Sequence, residues 1–83
     1  MGREAAQMTP DRIRTLRHNL GLSAEAFARA MGVNGGRLVR RWEAGDGAPG
    51  GSAARLVEAA EMFPEVRDFL LEKAKKPALP DRA

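Results

Sequence analysis

At 83 residues, 43% of them hydrophobic and with a net charge of +3, the chain has room for one modest core and leans mildly toward polyanionic partners. The absence of cysteine excludes a disulfide framework and any thiolate metal site. No stretch reaches the roughly 18 apolar residues of a membrane span, and Met1 to Met8 lacks the apolar region of a secretory signal, so a cytoplasmic protein is expected.

No segment alternates apolar and polar residues over strand length, and turn residues fall at helix-sized intervals. That pattern predicts an all-α fold, a compact bundle of about five short helices. The first helix opens at Thr9-Pro10, a capping hydroxyl before a proline at the first helical position. Met8 and Ile13 stand at the spacing of a hydrophobic staple. Ile13, Leu16 and Leu20 form one apolar stripe, and Gly21 ends the helix. Ser23 caps the second helix, with Leu22 and Phe27 as its staple. Phe27, Ala28 and Met31 face inward, Gly32 closes the helix, and Val33 is a buried plug.

The third helix is predicted from about Gly36 to Ala44, with Val39 and Trp42 at i, i+3 as its inner face. Gly45 terminates it, and Asp46 to Gly51 is a loop by composition. Ser52 is expected to cap a fourth helix carrying Leu56, Val57, Ala60 and Met62 or Phe63 inward. Pro64 begins a fifth, with Val66, Phe69 and Leu70 inward. A single domain is therefore expected over residues 9–76, with residues 1–8 and 77–83 as frayed tails.

The stretch from Ser23 to Gly45 is the informative one. Two short helices joined by the tight turn Gly32-Val33-Asn34-Gly35 form a helix-turn-helix pattern. A helix of this size that buries one face and exposes the other fits the major groove of B-DNA. Between Asn34 and Trp42 there are three arginines and no acid. With Val39 and Trp42 inward, Arg37 and Arg41 lie together on another side, one turn apart, and Arg40 lies at the flank. Phe27, Ala28, Val33, Val39 and Trp42 are the expected core of the motif.

Ile13-Arg14-Thr15-Leu16-Arg17, Gly21-Leu22-Ser23, Phe27-Ala28, Met31-Gly32-Val33 and Val39-Arg40-Arg41-Trp42-Glu43-Ala44-Gly45 together resemble the lambda-repressor/Cro-like (XRE-type) helix-turn-helix DNA-binding proteins. The resemblance covers residues 10 to about 63. It implies a sequence-specific transcriptional regulator, a small prokaryotic or phage repressor bound to double-stranded DNA at the nucleoid. It also implies that Gly36, Arg37 and Arg41 reach base edges, and that Leu38 on the groove side meets a thymine methyl. By the same likeness Arg40, Ser23, Asn34 and Arg17 contact the DNA backbone, and Arg17 pairs with Glu43.

The chain departs from that family pattern at several positions. Ala24 stands where a phosphate-binding glutamine is common, and Ala44 where an asparagine is usual. The segment Asn34-Gly35-Gly36-Arg37 is one residue longer than the usual turn, and Asp46 places an acid beside the basic helix.

Elsewhere structural readings prevail. His18 reads as a solvated helix residue, and the glycines as turns and caps; the strand, glycine loop and lysine of a P-loop are absent. No nucleophile–base pair or metal-ligand spacing is present, so neither enzyme activity, nor a metal, nor a cofactor, nor a small-molecule ligand is expected. Met62, Phe63, Val66, Phe69 and Leu70 form either a homodimer surface or the closure of the monomer core. The competing functional class is a protein-interaction module, such as an antitoxin that uses the same fold with weak or no DNA binding.

Overall fold

In the computed structural model, which describes residues 8–75, the chain folds into five α-helices: α1 (Pro10–Leu20), α2 (Ala24–Met31), α3 (Gly36–Glu43), α4 (Gly51–Met62) and α5 (Pro64–Ala74). No strand occurs among the described residues. The expected tails lie outside the described residues, except Met8, which is half-buried against the core.

The first two helices begin where the hydroxyls predict. Thr9 Oγ1 accepts the N–H of Arg12 at 3.3 Å, and Ser23 Oγ accepts that of Ala26 at 3.1 Å. Each cap satisfies one of the four N–H groups that a helix start leaves without a partner. At the C-terminal ends Gly21 and Gly32 close α1 and α2 in left-handed conformation.

α2 lies at the centre. It packs on α3 along one side and on α5 along another, while α1 braces α3 and α4. The apolar interior therefore has contributions from every helix: Ile13 from α1, Phe27 from α2, Val39 from α3, Val57 from α4 and Leu70 from α5 are all fully enclosed. Leu20, Leu22, Val33 and Leu56 pack half-buried around them.

The second half of the chain differs from the sequence-based expectation in two ways. First, Ser52 does not cap α4. Gly50 does, in extended conformation with no side-chain cap bond, and its carbonyl accepts the Ala54 N–H at 2.8 Å. Pro49, just before this cap, is buried.

Second, the inner faces of α4 and α5 are narrower than predicted. Phe63 precedes a proline, which excludes the helical region; it stands at φ −126°, ψ 120° and separates the two helices. Met62 and Phe63 are thereby turned to solvent, 67% and 50% exposed. In α5 the enclosed pair is Leu70 and Ala74, at i, i+4, which turns Phe69 about 100° away and leaves it 51% exposed. Leu70 is wholly inside this monomer and so cannot belong to a surface for a second subunit. Val66 stays half-buried between the two sets.

Two arginines tie helix ends into this frame. Arg29 of α2 donates from Nε to the Ala74 carbonyl at 2.8 Å, and Arg67 of α5 donates to the Ala60 carbonyl near the end of α4 at 2.7 Å. Both carbonyls belong to last turns, where the helix itself supplies no donor.

Candidate nucleic-acid interface

α3 is the element with the most one-sided chemistry. Gly36, Val39 and Trp42, three residues apart each time, are its buried positions. At about 100° per residue, Arg40, Arg37 and Arg41 then fall within one arc of about 100° on the opposite, exposed side. Arg37 lies at the middle of that arc, so Arg40 is a neighbour on the same face.

The connection that aims this face is Gly32-Val33-Asn34-Gly35. Gly35 is the N-cap of α3, and its φ of +117° is open to glycine and strained for any other residue. Asn34 is exposed on the turn, and Ser23 is exposed at the start of α2. Gly36 is buried rather than groove-facing: a Cβ there would lie 2.7 Å from Oε2 of Glu25, which sits over the first turn of α3. Leu38 is half-buried, with part of its side chain against the core. Ala24 is buried, so its position in this fold presents nothing to a phosphate, and Ala44 is the exposed C-cap of α3.

The three arginines differ in what they already hold. Arg40 donates to Glu25 Oε2 at 2.9 Å, with both side chains 59% exposed. Arg41 Nε stands 3.7 Å from Asp46 Oδ2. Arg37 makes no ion pair among the described residues. The Arg40 guanidinium, by its hydrogen bond, holds the Glu25 carboxyl below the usual carboxylate range.

Behind α3 a second ionic cluster fixes its far end to α1. Arg17 donates from Nε to Glu43 Oε2 at 2.6 Å and from its terminal nitrogens to Glu43 Oε1 at 2.8 Å and the Leu22 carbonyl at 3.0 Å. Arg14 adds a bond of 2.9 Å to the Glu43 carbonyl. This bidentate geometry suits a planar guanidinium and a carboxylate. The expected Arg17–Glu43 pair thus forms, and all three nitrogens of Arg17 are engaged inside the protein. Its guanidinium is also the main cause that holds the Glu43 carboxyl low, against the opposing effect of burial, and Glu43 in turn raises the Arg17 pKa.

A depressed carboxyl pKa means that the folded state releases the Glu43 proton more readily than the unfolded chain. Its contribution is therefore complete above the ordinary carboxylate pKa of about 4.3 and is lost as pH falls through the lower folded value. The melting temperature of wild type is expected to drop more steeply than that of Glu43→Gln between about pH 5 and pH 3. Thermal melts of the two proteins across that range check it; parallel curves would show that the pair contributes nothing.

Sequence reasoning identified the arginines of α3 but not Glu25. An acid in the first turn of α2 carries an ordinary local meaning, compensation of the helix dipole. Only the crossing of α2 and α3 brings it to Arg40.

Among the described residues no helix is long and apolar enough to cross a membrane, and no group of three metal-ligating side chains occurs. The class defined by fold and site is thus an all-helical domain that presents one cationic helix face. No protein-family model and no solved structure matches the chain. It is 29% identical over 65 residues, 78% of its length, to the antitoxin HigA-2 of Vibrio cholerae serotype O1. The chain spans 62% of the length of that protein.

Proposed function

We propose that this chain is a sequence-specific DNA-binding regulator of the lambda-repressor-like helix-turn-helix class, with α2 and α3 as the motif and α3 in the major groove. One observation carries the reading: Arg37, Arg40 and Arg41 share one exposed face of a helix whose other face is enclosed in the core. Arg37 and Arg41 read base edges, for which a guanine O6/N7 pair is the best match to a guanidinium. Arg40, Ser23 and Asn34 position the protein on the backbone. Gly36 and Arg17 have smaller roles than the family likeness implies, since one is covered by Glu25 and the other is committed to Glu43 and Leu22. The protein acts in the cytoplasm by steric exclusion at its site, without catalysis and without a cofactor.

A single module of this kind buries about 600–1,000 Å² on DNA, which supports only modest specific affinity. We infer a two-fold dimer that reads half-sites about 34 Å apart. Met62, Phe63, Val66 and Phe69 supply its apolar surface, with the enclosed Leu70 removed from the set. The likeness to a protein named an antitoxin favours a second role for the same domain, as the DNA-binding part of an antitoxin.

Duplex binding measured at several salt concentrations tests the reading. Log K is expected to fall linearly with log salt, by about 0.9 for each phosphate contacted. Weak binding with no dependence on salt would assign the arginine face to another task.

A further inference from the structure

The cations of α3 are not all available to a polyanion. Arg40 is held by Glu25 at 2.9 Å and Arg41 by Asp46 at 3.7 Å, which leaves Arg37 as the one cation of this face without an ion pair among the described residues. The acids come from opposite ends of the site: Glu25 from the start of α2, Asp46 from the loop after α3. Both pairs are exposed, with side-chain accessibilities of 58–72%, so a phosphate or a base edge can displace either carboxylate.

Glu25 is placed there by the fold. Its carboxylate lies over Gly36, at 2.7 Å from the position of a Cβ, so the absence of a side chain at residue 36 is what lets it approach. Asp46 follows the C-terminal turn of α3, where its N–H donates to the Arg41 carbonyl at 2.8 Å. The backbone thus brings each acid within reach of the arginine it pairs with, while the side chains themselves stay exposed.

Two carboxylates offset two of the three positive charges on the face. Sequence-independent affinity for DNA depends on how many phosphates the protein neutralises, whereas base-edge hydrogen bonds depend on geometry. Both ion pairs oppose the first on every sequence, whereas at a matched site Arg41 exchanges Asp46 for a bidentate guanine edge and recovers the second. We propose that Glu25 and Asp46 are specificity determinants: they hold Arg40 and Arg41 in exchangeable ion pairs and thereby keep non-specific DNA binding low. This rests on the DNA-binding reading above and adds to it two residues that touch the arginines rather than the bases.

The probe is a 20-base-pair duplex of mixed random sequence, which removes any need to know an operator. Wild type is compared with Glu25→Gln/Asp46→Asn, and with Glu65→Gln/Asp68→Asn as a charge-matched control on α5. The last helix packs on α2 and α4, and both control acids are exposed. The acid-to-amide pair at α3 is expected to bind about tenfold tighter near 50 mM salt, with a salt slope steeper by about 0.9 for each arginine released. The control pair should stay close to wild type. Melting temperatures confirm that the variants fold.

If wild type binds and the α3 pair binds no tighter, the role of the acids is refuted while the DNA reading stands. A control that gains as much as the α3 pair refutes it too, because net charge then accounts for the gain. If wild type fails to bind and the α3 pair binds with a steep salt slope, the acids are the restraint proposed. Failure of both removes this inference together with the reading beneath it.

Discussion

Replacing Arg37 and Arg41 together with alanine is expected to abolish sequence preference and leave the fold intact. Both side chains stand on the solvent side of α3, and neither is bonded to the core, so truncation leaves no cavity and no buried partner. What is lost is the ability to donate two parallel hydrogen bonds to a guanine edge, worth about 1–3 kcal/mol of discrimination for each such pair. Two losses of that size remove most of the difference between a chosen site and a random one. Arg40→Ala is the informative companion. A backbone contact adds affinity on every sequence alike, so that variant should weaken binding uniformly and reduce the salt slope by about 1. Competition assays with selected and random duplexes separate the two outcomes. Retained preference in the double variant would move base reading away from α3.

Phe27→Ala is expected to be the most damaging single change to the structure. Phe27 is fully enclosed on the helix that packs on both α3 and α5, so its ring supports both contacts at once. Truncating an enclosed aromatic costs about 3–5 kcal/mol, and a domain of this size is stabilised by on the order of 5 kcal/mol in total. No disulfide is available to offset the loss, because the chain has no cysteine. The variant should melt below or near room temperature by circular dichroism, whereas Phe69→Ala, with its ring half in solvent, should melt close to wild type. Comparable melting of the two would contradict the packing described for α5.

The contrast between these two phenylalanines shows what can be read from the sequence. The first two helices carry local signals that agree: capping hydroxyls at Thr9 and Ser23, glycines at both helix ends, and apolar residues at helical spacing. Their inner residues are legible because these signals place the helix boundaries, and the apolar spacing between them then marks the inner side. In α4 and α5 the apolar residues outnumber the positions that the neighbouring helices cover, and Pro64 resets the phase between the two helices. Periodicity alone cannot tell which of Phe69 and Leu70 is enclosed. The choice is made by the packing of α5 on α2, which the Arg29 bond to Ala74 secures.

The same limit applies at the interface. That Arg37 and Arg41 share a face follows from Val39 and Trp42 being apolar, and so it is visible in a string of residues. The ion pair of Arg17 with Glu43 was legible only through the family likeness. The pairing of Arg40 with Glu25 depends on a tertiary crossing between residues 15 positions apart and has no local signature. Most of the other arginines of known contact serve structure: Arg14 bonds the end of α3, Arg12 pairs with Glu61 of α4, and Arg29 and Arg67 close helix ends. A count of positive charge therefore overstates what is available to a nucleic acid, and the face of α3 is where the count has meaning.

The central claim is that this face reads sequence in the major groove. Selection of bound duplexes from a random pool tests it most directly, with wild type and Arg37→Ala/Arg41→Ala run side by side. The account predicts that wild type enriches a defined motif containing guanines, repeated as an inverted pair about one helical turn apart, and that the double variant enriches none. A wild-type pool that remains random after selection, or a motif that the variant enriches equally well, would contradict it.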